Sequence, residues 1–385
     1  MLILTVDIGT GTQDILLVDT HLDLENGYKL VVPSPTMIIY RRIKQATRRR
    51  QAVLLTGVMM GGGPSQWAAE AHLRAGLPVF ATPAAARTFN DDLEAVKALG
   101  VQVVSEDEAA RLPSDVLRLE LRDFDFSAIA QALEAFGVTL NELAAVAVAV
   151  FDHGDSPPGY SDRQFRFDYL DRRVRQVNRL SGFAYTAENI PPILTRLKAV
   201  AASAGGIDAP LLVMDTAPAA VLGALYDSWV ASQERVMAVN IGNFHTLAFR
   251  LGEGSPDSRI IEGVFEHHTG LIDLPRLETL LIRLAQGTLT HAEVFAENGH
   301  GALVYSSRPL PLGSSASPLA VTGPRRNLMR GSALHPYFAV PFGDMMLAGC
   351  IGLLSAAADH FPTLSDSIHR LLSASSSGIA PWESA

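Results

Sequence analysis

The chain of 385 residues is too long for one ordinary hydrophobic core and suits two domains with room for an insertion. Apolar residues make up 48% and charged residues 18%, which excludes a disordered chain. A net charge of −9 argues against nonspecific binding to nucleic acid, and no apolar run reaches the ~18 residues needed to cross a bilayer.

The N-terminus, MLILTVDIG, has no basic start and meets Asp7 at once. It reads as a strand rather than a leader, so a cytoplasmic protein is expected. Residues 2–7, 14–18 and 28–32 have the pattern of three strands joined by tight turns, followed by a helix over 35–50 whose basic end, RRIKQATRRR, suits the helix dipole. An apolar strand over 52–60 runs into GGGPSQWAAEAHLRAG, where Pro64 and Gly76 mark a helix start and stop. Residues 78–136 alternate short strands and helices, and 142–154 is a buried strand ending in the polar loop FDHGDSPPGYSDR. The arginine-rich stretch 155–210 reads as a helical connection with salt bridges, its interleaved Phe165, Phe167 and Tyr169 notwithstanding. Then come a strand over 211–215, a helix over 216–231, strands over 235–242, 245–252 and 259–266, and a helix over 273–287. A strand over 319–324 and an apolar helix over 343–358 follow.

The stretches VDIGTGTQDILLVD and VNIGNFHTLAFR form an internal repeat, each opening three strands and a helix. Two similar halves imply two similar domains facing each other across a cleft. The expected division is 1–154 with an α/β insertion, 155–210 as the connection, and 211–385.

Gly9-Thr10-Gly11 is not a dinucleotide fingerprint, because no third glycine follows and a strand, not a helix, comes next. Nor is it a P-loop, since no lysine follows. Two readings remain. One is an ordinary Gly-Thr hairpin. The other is a hairpin over phosphates, in which glycines let backbone N–H groups approach, Thr10 and Thr12 add hydroxyl donors, and Asp7 holds magnesium through water.

Other segments carry polar groups at strand ends, where α/β sheets bind ligands. Gly61, Gly62 and Gly63 form either a substrate phosphate or carboxylate site at a helix N-terminus or a flexible loop. Asp152 and His153 suit substrate binding or a second acid/base, whereas Asp155 suits a turn. His267 and His268 are adjacent with no fixed partner spacing, a poor metal site that leaves substrate or phosphate contact open. His245 is a phosphate donor or a turn residue. Cys350, the single cysteine, reads as a small buried hydrophobe.

The order VDIGTGTQD, VMDTAPAAVLGAL, VNIGNFHTLAF, VTGPRRN, FGDMMLAGCIGLL resembles the actin, hexokinase and Hsp70 ATPase superfamily, with a layout similar to its carbohydrate kinases. The resemblance implies an α/β fold of two RNase H-like domains closing over ATP and magnesium. It implies a first phosphate loop from Asp7 through Gly9, Thr10, Gly11, Thr12 and Gln13, and a second containing Asn240, Gly242 and Asn243. Gly323, Pro324 and Asn327 would lie near adenosine. Asp215 would be the catalytic acid that accepts the acceptor's proton, on the magnesium side with Asp7. Asn240 is neutral where an acid would ligate metal, Gly-Pro replaces a Gly-Gly at 323–324, and residues 60–210 match nothing in these kinases.

TGVMMGGGP (56–64) and EHHTG (266–270) also resemble an uncharacterised family labelled as pyruvate formate-lyase activating enzymes. A radical-SAM activase needs three cysteines for its cluster, and a dimer sharing one cluster needs two per chain, so a single cysteine excludes both. The expected activity is Mg-ATP-dependent phosphoryl transfer to a small-molecule acceptor. Two alternatives stand beside it. One is a regulatory ATPase read by a partner protein or within a homodimer, and the other is a binding protein that lost nucleotide chemistry.

Overall fold

The computed structural model describes residues 1–313, 317–373 and 379–383. The chain begins with a meander, β1 (Leu2–Ile8), β2 (Thr12–Asp19) and β3 (Tyr28–Pro33), followed by α1 (Pro35–Arg49). Ser34 caps α1, its hydroxyl accepting from Met37 N–H, Pro35 opens it, and Ile39, Ile43 and Ala46 give it one buried stripe.

An insertion of parallel β/α units follows: β4 (Val53–Gly57), α2 (Pro64–Arg74), β5 (Val79–Ala81), α3 (Pro83–Ala86), α4 (Leu93–Ala98), β6 (Gln102–Val103), α5 (Glu106–Arg111), β7 (Leu117–Leu121) and α6 (Phe126–Glu134). Its four strands run in the order β6-β5-β4-β7, so the direction of winding reverses between β4 and β7. The strand expected over 52–60 ends early. Gly57 has a φ of +89°, and a Cβ there would press on Leu121 O, so the chain leaves the sheet before Met59 and Met60.

Next come β8 (Leu143–Val150), α7 (Asp162–Gln176), β9 (Ala184–Thr186), α8 (Thr195–Ser203), β10 (Leu211–Asp215), α9 (Thr216–Ala224) and α10 (Ser228–Ser232). The helix expected over 216–231 is thus two helices, because Asp227 turns back to accept from Trp229 and Val230 N–H and starts a new one. β8 and β10 join the first meander in a six-stranded sheet, β3-β2-β1-β8-β10-β9. The expected division at 210 and 211 therefore separates strands that pair, since Leu211–Asp215 lies parallel to β8. The connection over 155–210 is also more than helical, contributing β9 to that sheet.

The second meander is β11 (Val236–Ile241), β12 (His245–Leu251) and β13 (Ile261–His268), followed by α11 (Leu274–Gln286), α12 (His291–Ala296), β14 (Gly301–Val304), β15 (Leu319–Thr322), β16 (Tyr337–Phe338), α13 (Ala348–His360) and α14 (Pro362–Leu372). Its sheet runs β14-β13-β12-β11-β15-β16. In both sheets an antiparallel meander is extended from its first strand by a parallel strand, β8 on β1 and β15 on β11. The repeat read from the sequence is thus a repeat of topology, and the chain is α/β.

Between the sheets lie α9 and α13, both apolar all round. They cross at Gly223 and Gly352, where an added Cβ on either would overlap backbone of the other. One continuous core runs from the first sheet through these helices to Ala238, Phe249 and Ala320 of the second. No helix among the described residues is long and apolar enough to cross a membrane.

Candidate functional site

A cleft of about 990 Å³ opens between the two meanders and the insertion. The β1–β2 and β11–β12 turns line it and are built alike. Gly9 N–H donates to Thr12 O at 2.9 Å, and Gly242 N–H donates to His245 O at 2.9 Å. The two turns face each other closely enough that a Cβ on Gly11 would lie 2.8 Å from Asn243 Nδ2. Ser34 braces the first turn, its hydroxyl donating to Thr10 O. Gly9, Thr10, Gly11, Thr12, Asn240, Gly242 and Asn243 all line the cleft.

Asp7 sits at the foot of the first turn, with Thr216 Oγ1 donating to its Oδ1 at 2.5 Å. Gly349, at the start of α13, leaves room for this carboxylate that any side chain would fill. Burial pushes Asp7 up to about 6 against the Thr216 hydrogen bond, with the Asp215 charge adding to the rise. Asp14 stands opposite Asp7 in the antiparallel register. Burial, then the Asp7 charge, push Asp14 up to about 8, and its Oδ1 finds no hydrogen-bond partner among the described residues. Two buried carboxyl groups side by side, one with an orphaned oxygen, are a donor set suited to a hard divalent cation.

The Gly61–Gly63 loop lies at the carboxyl end of β4, on the winding reversal where open α/β sheets take ligands. Asp123, just past β7, accepts from Gly61 N–H at 3.1 Å and from Arg196 Nε at 2.7 Å. Thr36 Oγ1 donates to Gly62 O at 2.5 Å, and the Phe244 ring of the second turn lies over Gly63. The loop is therefore braced, not flexible. Asp91 lines the same region, raised to about 6 by burial and by Asp155.

On the second-sheet side, the buried Arg166 of α7 binds three groups. Its Nε donates to Glu266 at 2.7 Å, and its Nη1 donates to Asp215 at 2.7 Å and to Asp152 O at 2.8 Å. Its guanidinium lies 4.0 Å from the Phe151 ring centroid. Both Asp215 oxygens are engaged, since Oδ1 accepts from Ala217 N–H at 3.1 Å and caps α9. The acid expected as proton acceptor is thus an ion-paired cap that does not line the cleft. Asp152 does line it, but its oxygens accept from Gly154 N–H at 2.8 Å and Leu197 N–H at 2.9 Å.

Beside this network the ends of β8, β12, β13 and β14 bring together His153, His245, His268 and His300. One ring nitrogen from each of His153, His245 and His300 lies within 4.8 Å of the others. Glu266 Oε1 is 3.0 Å from His245 Nδ1 and 3.6 Å from His300 Nε2. Burial pushes His300 down to about 3 and His268 to about 4, so both rings are neutral at physiological pH. Burial would raise Glu266, but Arg166 and the histidines outweigh it and hold the carboxylate well below its usual range.

Five expected residues stay outside the cleft, Asp215 and His268 among them. Gln13 alternates to the opposite face of β2 from Thr12 and Asp14, its amide donating to Pro33 O at 3.1 Å. Asn327 is exposed and accepts from Arg330. His267 is buried on the opposite face of β13 from Glu266 and His268. Gly323 lines the cleft, its φ of +96° bringing it against Asn240 and the Ile241 carbonyl. Asp14 stands two residues past Thr12 and Glu266 opens the EHHTG stretch, but Arg166 and His300 carry no local signal. Cys350 is buried, its thiol donating to Asp14 O at 3.1 Å.

Among solved structures, ethanolamine utilization protein EutJ from Carboxydothermus hydrogenoformans is similar at 13% identity over 91% of this chain and 88% of that one, with a TM-score of 0.31. An exopolyphosphatase-like protein is similar at 10% identity over 77% of this chain and 60% of that one, with a TM-score of 0.24. No curated protein matches the chain. A family model matches residues 60–328, more than half of the chain, and the protein belongs to that family, DUF1786, described as "Putative pyruvate format-lyase activating enzyme".

Proposed function

We propose that the two meander sheets are the RNase H-like domains of an actin-like ATPase, and that the cleft binds a nucleotide for magnesium-dependent phosphoryl transfer. The observation that carries this reading is the pair of matched turns, one from each sheet, facing each other beside Asp7. Opposed turns with small and hydroxyl-bearing residues suit a chain of phosphates held from both sides. Asp7 and Asp14 fit magnesium, which when bound would neutralise phosphate charge. Thr216 holds Asp7 in place, and Thr10 and Thr12 donate hydroxyls. Gly323 bounds the nucleoside end. The acceptor, a small polar metabolite, enters at the β4–β7 reversal against the braced Gly61–Gly63 loop. Asp91, raised to about 6, is matched to proton transfer near neutral pH. The family description fits less well, because a radical activase cluster needs three thiolates and Cys350 is alone and buried.

A second reading, a regulatory ATPase, is favoured by Asp215. An acid locked to Arg166, and through it to Glu266 of the second sheet, suits linking the two halves better than accepting a proton.

The test is ADP release from Mg-ATP, with and without pools of small polyols, sugars and hydroxy acids. Stimulation by one pool, together with a phosphorylated product, supports transfer. Slow hydrolysis that no pool accelerates removes it in favour of the regulatory reading.

A further inference from the structure

Apart from the His245 carbonyl that closes the second turn, neither the phosphate turns nor the acceptor crevice uses the histidines at the far wall of the cleft. They come from three distant parts of the chain. His153 follows β8 of the first sheet, whereas His245 opens β12 and His300 precedes β14 in the second. His153 and His245 line the cleft, and His300 is buried behind them. Neither ring nitrogen of His300 makes a hydrogen bond among the described residues. A buried imidazole with both nitrogens unsatisfied is costly to keep unless something occupies the space it faces.

We propose that His153, His245 and His300 form a binding site for one first-row transition-metal dication of the zinc class, with its remaining coordination position open to the cleft. Three imidazoles with a fourth position left free is a donor set that catalytic zinc sites use, and imidazole suits zinc, cobalt, nickel and iron over magnesium. The nitrogens lie within 4.8 Å of one another. Around one zinc ion they would stand about 3.4 Å apart, given bonds of roughly 2.0–2.1 Å, a closure that small side-chain rotations supply. The surrounding shell is also present. Glu266 Oε1 lies 3.0 Å from His245 Nδ1, which leaves the other ring nitrogen of His245 for the metal, and Arg166 fixes the same carboxylate from its other oxygen. The Glu266 carboxylate also offsets part of the dication's charge across the His245 and His300 rings. The open position would take water or an oxygen of the molecule in the cleft, where the ion acts as a Lewis acid. The site spans both sheets, so occupancy would also tie the halves together.

Full-length protein freed of metal with a chelator is titrated with Co(II) and followed by visible absorption. The expected result is a band set of tetrahedral or five-coordinate cobalt that saturates at one equivalent and is bleached by Zn(II). It is lost in His300→Gln and in His153→Ala. The second variant alters a half-buried loop residue and guards against misfolding, with far-UV circular dichroism checking both. His369→Ala, on the exposed face of α14, retains the bands. So does Asp14→Asn, which separates this site from the acids of the nucleotide reading. A wild-type protein that develops no bands overturns the proposal, as do bands that persist in folded His153→Ala.

Discussion

Replacing Arg166 by Met removes the one cation among the described residues that touches both Asp215 and Glu266. Methionine has similar length and keeps the apolar contact with Phe151. Its cost is therefore electrostatic: two buried carboxylates lose their counter-charge, and Asp152 O loses a donor. Breaking a buried pair from one side costs about 3–5 kcal/mol. For a chain of 385 residues that is a fall in melting temperature of roughly 4–6 °C. Neutralising the carboxylates as well, in Arg166→Met with Asp215→Asn and Glu266→Gln, should restore most of the loss, because the penalty lies in the uncompensated charge. The pH dependence has a definite sign. Glu266 is held well below its usual value in the folded protein, so its contribution is present above about pH 4.5 and is lost as pH falls through the folded value. The variant lacks that contribution, so its deficit is widest near neutrality and narrows in acid. Differential scanning calorimetry from about pH 2 to pH 8 measures both effects. A single variant within about 1 kcal/mol of wild type, or a triple variant no better than the single, would refute the reasoning.

Further outcomes follow from the packing and the buried acids. Gly223→Ala should destabilise by about 1–3 kcal/mol or more, read by thermal melting, because its Cβ meets the Ala348 carbonyl of α13, which is backbone and cannot swing aside. Asp14 is raised to about 8, so in the cation-free protein it is protonated when folded and charged when unfolded across neutral pH. Its contribution to stability therefore falls as pH rises from about 4 to 8, and Asp14→Asn should gain on wild type across that range in denaturant titrations. Cys350, with its thiol pushed up by burial and by Asp7 and Asp14, should resist a thiol-reactive dye in the native state and react at once in denaturant.

What the sequence discloses here is what local pattern controls. The β1–β2 and β11–β12 turns were legible because alternating apolar residues frame a short Gly-containing break, and the structure builds both turns with the same hydrogen bond. Partnering was not legible. Nothing in LLVMD says that it pairs with β8 rather than opening the second sheet, so the division fell on the wrong side of it. Likewise, nothing in the apolar run to Met60 says that Leu121 forces the strand to end at Gly57. The histidines show the same limit in the site. His267 and His268 attract attention by adjacency, yet a strand sends neighbours to opposite faces. The grouping that forms is His153, His245 and His300, assembled from strand ends and loops far apart in the chain. Asp215 carries a motif position but takes its role from Arg166, which only the fold brings to it.

The central claim is that the two facing turns and Asp7 bind a phosphate chain. Isothermal titration of Mg-ATP and of adenosine into wild type and Asp7→Ala tests it most directly. The account predicts binding of Mg-ATP to wild type, weaker binding of adenosine by at least tenfold, or about 1.4 kcal/mol, and loss of that difference in Asp7→Ala. No binding of Mg-ATP to wild type, or equal affinity for ATP and adenosine, would contradict it.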